Sequence, residues 1–200
     1  MCRRALLLAY LTVGYNLIEA VVALTAGAVA SSAALIGFGG GSLIEVSSAL
    51  VVIWQYRSRA PQRREHKALP CIAICFSPWP ATSPCAIRAL SDAVEVAPSP
   101  VGIGLAIVSM LVMPTLVWAK RRVGSALGSA TVIADSTQTL LCAYLSAGLL
   151  VGLLANAALG WGWADSVVAL VIAAVAVREG WEAWHGEHTP TPLAESRRYR

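Results

Sequence analysis

Glu45 and Asp135 each stand inside an apolar run that is long enough to cross a membrane. Glu45 lies in SAALIGFGGGSLIEVSSALVVIWQY, and Asp135 lies in SATVIADSTQTLLCAYLSAG. A carboxylate near the middle of a bilayer is costly, so an acid at such a position usually has a charged partner or a function. The first question is therefore what these two carboxylates face.

The two acids are expected at similar depths, on helices that run in opposite directions. If a helix enters near Ser32 and rises about 1.5 Å per residue, Glu45 lies roughly 20 Å along it. If another helix enters from the opposite side near Ser125, Asp135 lies about 15 Å along it. In a hydrocarbon core about 30 Å thick, both carboxylates fall near the midplane. Two acids at one depth predict one shared site.

Oxygen-bearing side chains flank both acids at helical spacing. Such faces suit hard or borderline divalent cations such as magnesium, manganese or ferrous iron, so we predict that a divalent metal cation binds here and that the protein carries no cofactor. Each acid could instead accept a hydrogen bond from a serine on a neighbouring helix. Asn16 and Glu19 form a third polar patch, which either completes a hydrophilic path or is partnered locally. The predicted metal ligands are Glu45 and Asp135, with Ser42, Gln138, Asn16 and Thr131 as weaker candidates.

The composition excludes a water-soluble domain. Of the 200 residues, 57% are hydrophobic and 13% are charged, and the mean hydropathy is +0.66, whereas soluble domains carry about 25% charged residues. The basic residues stand in blocks between apolar runs, where they act as topology signals, so no nucleic-acid partner is expected. No nucleophile with a base, metal triad or phosphate-binding loop is apparent in the sequence, so no enzymatic activity is predicted.

The apolar segments predict an all-α membrane protein, a bundle of six transmembrane helices. The third segment carries four prolines, and an interior proline costs about 3 kcal/mol in an ordinary helix, so this helix is expected to be irregular or disrupted. The transmembrane domain is expected over residues 1–183, followed by a disordered cytoplasmic tail over 184–200 and no C-terminal cytoplasmic domain. The helices are expected at about 5–29, 32–56, 68–95, 101–119, 125–157 and 163–183.

The placement of lysine and arginine sets the predicted topology. Basic blocks precede the first helix, follow the second, separate the fourth from the fifth and end the chain. The block that separates the fourth from the fifth is formed by Lys120, Arg121 and Arg122. Because basic loops favour the cytoplasmic side, both termini are expected in the cytoplasm of a multi-pass protein of the cell (inner) membrane.

Four stretches of the chain follow the sequence pattern of a known family. They are the opening YNLIEAVVALTAGAVASSAALIGFG, the acid-bearing second and fifth helices, and the closing WADSVVALVIAAVAVREGWEA. Together they resemble the transmembrane domain of the cation diffusion facilitator (cation efflux) family, over about residues 10–56 and 98–183. The resemblance implies a homodimeric antiporter in the lipid bilayer that exports divalent metal cations in exchange for protons.

The resemblance also implies a four-ligand cation site between the second and fifth helices. Glu45 and Asp135 occupy the second position of its two ligand pairs, whereas the first positions hold Gly41 and Thr131. Glycine has no side chain with which to bind a metal, and threonine is a poor substitute for imidazole. This departure leaves an alternative open: a non-transporting, degenerate family member with an assembly or regulatory role.

Residues 68–95 lack the family pattern that their flanks carry. We interpret the contrast as a change of reading frame in the gene over this stretch. Resequencing of the gene tests this hypothesis, and an intact frame that still encodes ALPCIAICFSPWPATSPC would contradict it.

Overall fold

Five helices account for most of the chain that the structure describes. The structure is a computed structural model, and it describes residues 2–58, 60–75 and 99–161, with helical residues at intervals between 163 and 178. The prediction of an all-α protein is confirmed, since the described residues contain no strand. In chain order the helices are α1 (Cys2–Ala30), α2 (Ala33–Tyr56), α3 (Pro61–Cys75), α4 (Pro100–Leu127) and α5 (Ala130–Leu159).

Four of these helices, α1, α2, α4 and α5, are long and apolar enough to cross a membrane. They correspond to the expected first, second, fourth and fifth helices, but α4 continues to Leu127 and α5 begins only at Ala130. The basic block expected between them is therefore helical. The expected third helix lies outside the described residues beyond residue 75, as do much of the sixth and the tail over 184–200. The count of six helices stays a prediction.

Short turns join the long helices into two antiparallel hairpins. Between α1 and α2, Ser31 adopts a positive φ of 54° and the backbone N–H of Ser32 donates to the Gly27 carbonyl at 2.9 Å. The Ser32 hydroxyl accepts a hydrogen bond from the backbone N–H of Leu35 at 3.1 Å, which caps α2. After α4, Gly128 has φ 61°, a left-handed conformation that glycine adopts without steric cost and that commonly ends a helix.

The four long helices pack in a ring in the order α1, α2, α5, α4. Each helix is antiparallel to both of its neighbours. Residues from the start of α1, the end of α2, α3, the end of α4 and the start of α5 share one apolar cluster, so these segments lie at one end of the ring. We call it the basic end, because it carries Arg3, Arg4, Arg57, Arg63, Arg64, Lys67, Arg121 and Arg122.

Helix α3 closes the basic end. It has 15 residues, fewer than the roughly 20 that a membrane span needs, and it packs on α2 and α5 through the buried side chains of Ala68 and Ile72. One Glu65 carboxylate oxygen accepts hydrogen bonds from the Ser129 hydroxyl at 3.0 Å and from the Thr131 backbone N–H at 3.3 Å. A carboxylate at a helix N-terminus is favourable, so Glu65 stabilises the start of α5.

Two apolar clusters bracket a polar layer in the centre of the ring. The cluster at the basic end includes Val52 and Val123, and the cluster towards the opposite end includes Leu35 and Leu149. Outward-facing positions are rich in large apolar side chains, as expected of a surface in contact with lipid. The ring is thus most polar inside. Its buried polar side chains include Thr12, Asn16, Glu19, Ser42, Glu45, Ser48, Ser109, Lys120, Asp135 and Thr139.

Replacing Gly27 by alanine is expected to destabilise the α1–α2 hairpin. A Cβ atom at this buried position would lie 3.0 Å from the backbone nitrogen of Ile36 and 3.1 Å from Leu35 Cβ, and overpacking of this kind costs about 1–3 kcal/mol. Thermal unfolding in detergent should give a lower Tm for Gly27→Ala. The matched control is Gly14→Ala, because no atom lies within 4 Å of its added Cβ. Equal Tm values for both variants would contradict the close approach of α1 and α2.

Candidate functional site

Glu45 lies on α2 in the polar layer and has no exposed surface. Its Oε1 accepts a hydrogen bond from the Thr139 hydroxyl of α5 at 2.5 Å. Its other oxygen, Oε2, has no hydrogen-bond partner among the described residues. An unpartnered polar atom is costly in the interior, which makes this oxygen a candidate to bind a ligand.

Asp135 lies on α5 and is also buried. The Ser48 hydroxyl of α2 donates a hydrogen bond to its Oδ1 at 2.7 Å. Its Oδ2 is 2.8 Å from the ammonium nitrogen of Lys120 on α4. Both carboxylate oxygens are therefore engaged, one by each helix that flanks α5.

Lys120 joins the two acids, which corrects its assignment as a topology signal between two helices. Its side chain is 1% exposed, and its Nζ is 3.6 Å from Glu45 Oε1 as well as 2.8 Å from Asp135 Oδ2. The same ammonium donates a hydrogen bond to the Thr139 hydroxyl at 2.7 Å. The correction follows from the length of α4, which continues past residue 119 and carries this lysine on its inward face.

The two acids are about one helical turn apart in depth, instead of level with each other as expected. Glu45 is level with Thr139, and Asp135 is level with Ser48, because α2 and α5 run antiparallel. Three residues of helix correspond to about 5 Å. The offset arises because α5 begins later in the chain than expected. The structure thus brings both predicted acids around one ammonium group, and their binding of a metal stays a prediction.

A third buried carboxylate, that of Glu19, lies next to the acid pair on the side away from the basic end. Glu19 of α1 accepts hydrogen bonds from the Ser42 hydroxyl at 2.8 Å and the Tyr15 hydroxyl at 3.3 Å, and a third from Ser109 of α4. Ser42 was a candidate ligand beside Glu45, but its hydroxyl is committed to Glu19. The acid is therefore partnered locally, which was one of the two alternatives left open for it.

Asn16 lies at the level of Glu45. It is three residues before Glu19 on α1, and Glu45 is three residues after Ser42 on the antiparallel α2, so the contact between Glu19 and Ser42 sets this alignment. The Asn16 amide nitrogen donates to the Thr12 carbonyl at 3.0 Å, while its Oδ1 has no partner among the described residues. Two unpartnered oxygens, Asn16 Oδ1 and Glu45 Oε2, thus occupy one level of the ring.

The remaining candidates, Gln138 and Thr131, are buried on α5. The Gln138 Oε1 and the Thr131 hydroxyl have no hydrogen-bond partner among the described residues, so neither oxygen is bonded to the two acids. Thr131 stands at the basic end, where Glu65 accepts its backbone N–H. Gly41, the other ligand position implied by the resemblance, is partly exposed, and a Cβ atom there would meet nothing within 4 Å.

Cys142 adjoins the acid pair but was not among the predicted ligands. It lies on α5 one turn beyond Thr139, and its buried free thiol neighbours the Glu45 carboxyl group. The spacing of three residues from Thr139 and of seven from Asp135 was the signal, since both intervals lie on one helical face. Over the ranges that the structure describes, no group of three or more His, Cys, Asp or Glu side chains is gathered as a metal cluster.

Residues 85–184, half of the chain, match the family described as the cation efflux transmembrane domain. The matched range includes α4 and α5, with Lys120 and Asp135, whereas Glu45 lies before it. It also includes residues 85–95, so the expectation that residues 68–95 lack the family pattern is wrong for this part of the stretch. The change of reading frame stays a hypothesis. No curated protein matches the chain.

A double-mutant cycle should detect the buried ion pair between Lys120 and Asp135. Asp135→Asn leaves the Lys120 ammonium with only the more distant carboxylate of Glu45, and breaking a buried pair costs about 3–5 kcal/mol. Lys120→Met leaves two carboxylates without a cation, at a similar cost. The double variant should lose less stability than the sum of the single variants, because it leaves neither the Lys120 ammonium nor the Asp135 carboxylate buried without its partner.

The free energy of unfolding, measured by denaturant titration in mixed micelles, checks this prediction. Ser109→Ala on the same α4 helix is the control, since Ser109 contacts Glu19 and not Asp135. Its effect should add to that of Asp135→Asn. Additive energies for Lys120→Met and Asp135→Asn would show that the two side chains do not interact.

Proposed function

Because the chain belongs to the cation efflux family, whose members transport metal cations across membranes, we propose that it transports a divalent metal cation bound between Glu45 and Asp135. The observation that carries the proposal is the convergence of two buried carboxylates on one positively charged group. A pair of acids arranged around one positive charge supports a binding site for a cation in the centre of the ring.

The donors around the acid pair bear on which cation is carried. Ser48 and Thr139 contribute hydroxyl oxygens and Asn16 an amide oxygen, a set that suits magnesium, manganese or ferrous iron. The thiol of Cys142 beside Glu45 extends this set towards zinc, which binds sulfur well. The proposed substrate is therefore a hard or borderline divalent cation.

The two hairpins suggest how the site could open to either side. Glu45 belongs to the α1–α2 hairpin, whereas Asp135 belongs to the α4–α5 hairpin, so a cation bound by both acids bridges the two units. Rocking of one hairpin against the other would expose the site alternately to the two ends of the ring. Protons compete with cations for the same carboxylates, which would couple cation export to proton entry, as in an antiporter.

The orientation in the membrane that we propose follows from the charge pattern, and the assembly follows from the family. The basic end would face the cytoplasm, with both chain termini on that side of the cell (inner) membrane, because basic residues favour the cytoplasmic side. A homodimer is the proposed assembly. It rests on the family resemblance alone.

A non-transporting role in assembly or regulation is the second candidate function. Two observations favour it: the family ligand positions Gly41 and Thr131 supply no strong ligand, and Lys120 already neutralises part of the acid pair. A relative that had lost its cation site could keep such an internal ion pair to hold its helices together.

Reconstitution into proteoliposomes tests the transport proposal. A panel of divalent ions, from magnesium and manganese to cobalt and zinc, should identify at least one that is taken up with a proton counterflux. For that ion, Glu45→Gln and Asp135→Asn should each slow the flux at least about tenfold, since even the loss of residues that only support metal ligands costs 10- to 100-fold. Flux that is unchanged in both variants would refute the assignment of the site.

Glu65→Gln is the matched control. It also converts a carboxyl group into an amide, but at the basic end, where the amide oxygen can still accept from Ser129 and Thr131. Its flux should equal that of the wild type. Absence of flux for every ion in the panel, together with absence of divalent binding by calorimetry in detergent, would instead support the non-transporting alternative.

A further inference from the structure

Lys120 occupies the position that a cation shared by Glu45 and Asp135 would take. An ammonium group has three N–H donors and no acceptor, and here it has three oxygen neighbours. They are Asp135 Oδ2 at 2.8 Å, Thr139 Oγ1 at 2.7 Å and Glu45 Oε1 at 3.6 Å. The lysine nitrogen therefore sits among the same oxygens that would bind a metal ion.

The next two residues of α4 show that this placement is specific to Lys120. Arg121 and Arg122 are exposed, and the guanidinium of Arg122 lies 5.3 Å from the ring centroid of Trp118. Basic residues beside tryptophan are typical of the interface between membrane and water. Lys120 alone of the three is turned into the ring, where a positive charge is tolerated only beside opposite charge.

A divalent cation and the Lys120 ammonium cannot share the acid pair. Two ionised carboxylates are neutralised by one divalent ion, so a lysine left in place would add an excess positive charge within a few ångströms of it. Like charges at such distances repel strongly in an environment from which water is excluded. Binding of the ion at Glu45 and Asp135 therefore requires that the ammonium withdraw.

We propose that Lys120 is a tethered counter-ion, which occupies the cation site when no divalent cation is bound and leaves it when one binds. The inference rests on the proposed function and concerns the same acid pair. Lysine suits the role because its charge is carried on a flexible four-carbon stem, so the ammonium can move by several ångströms while α4 stays in place. Glu45 Oε2, which has no partner among the described residues, is the oxygen that remains open to the incoming ion.

Such a counter-ion has two consequences for a transporter. It lowers the affinity for the divalent cation, because the ion must displace a competitor, and so it favours release on the far side. It also keeps the carboxylates paired once the ion has left. The empty carrier can then change conformation without two uncompensated acids in the bilayer core, which would be costly.

The test is the affinity of the purified protein for Mn²⁺, followed by the loss of the electron paramagnetic resonance signal of the free ion. Lys120→Gln removes the positive charge but keeps an amide that can donate to Asp135 or Thr139. It should bind Mn²⁺ at least about tenfold more tightly than the wild type, which corresponds to about 1.4 kcal/mol. Mn²⁺ should also raise the Tm of this variant more than that of the wild type, because tighter binding stabilises the folded state.

Lys120→Arg is the matched control, since it retains the charge on a long side chain. Its affinity for Mn²⁺ should stay close to that of the wild type. Lys120→Met serves as a second uncharged variant should the glutamine variant fail to give monodisperse, helical protein, and the same gain in affinity is expected of it.

Each outcome decides the matter. Tighter binding by an uncharged variant, with no gain for Lys120→Arg, supports the tethered counter-ion. Equal affinity in the wild type and the uncharged variants overturns it while the transport proposal stands. An equal gain for Lys120→Arg overturns it as well, since loosened packing would then be the cause. Absence of Mn²⁺ binding in every variant, with no flux of any divalent ion, contradicts both proposals.

Discussion

The centre of the bundle depends on one interaction, the ammonium of Lys120 held between the carboxylates of Asp135 and Glu45. None of these charges could remain alone in the core of a membrane, because each would lack both water and an opposite charge. Together they constrain three helices at once, since the residues belong to α4, α5 and α2. The ion pair therefore fixes how far each helix is inserted relative to the others.

The rest of the fold holds these three side chains at matching heights. The turn at Gly128 sets where α4 ends, and Glu65 of α3 caps the start of α5, so the level of Asp135 is fixed from the basic end. On the other hairpin, the contact between Ser42 and Glu19 aligns α2 with α1 and places Glu45 about one turn nearer to the basic end. Apolar clusters above and below the polar layer exclude water from it. Both hairpins thus supply an acid to one site, and only the second supplies the lysine.

The parts of this arrangement that the sequence could predict are those with strong local signals. Apolar runs of more than 20 residues identify the four long helices. Acids within such runs are rare, so a shared site for Glu45 and Asp135 could be predicted. Lys120 could not be recognised in the same way, because a lysine followed by two arginines is typical of a cytoplasmic loop. It lies three residues after Val117 and seven after Met113, both buried, and this spacing places it on the inward face of α4. Only its contacts with Asp135 and Glu45 on other helices distinguish a lysine buried in the ring from a lysine in a cytoplasmic loop.

The most direct measurement uses the two lysines of the chain, Lys67 and Lys120. Their side-chain nitrogens can be labelled with nitrogen-15 and followed by NMR while Zn²⁺, which is diamagnetic, is added to the protein in detergent. Lys67 is exposed on α3 and serves as the internal reference. We predict that the Lys120 resonance shifts in proportion to bound Zn²⁺ while that of Lys67 stays in place. A Lys120 resonance that does not move although Zn²⁺ binds would contradict a cation site between Glu45 and Asp135.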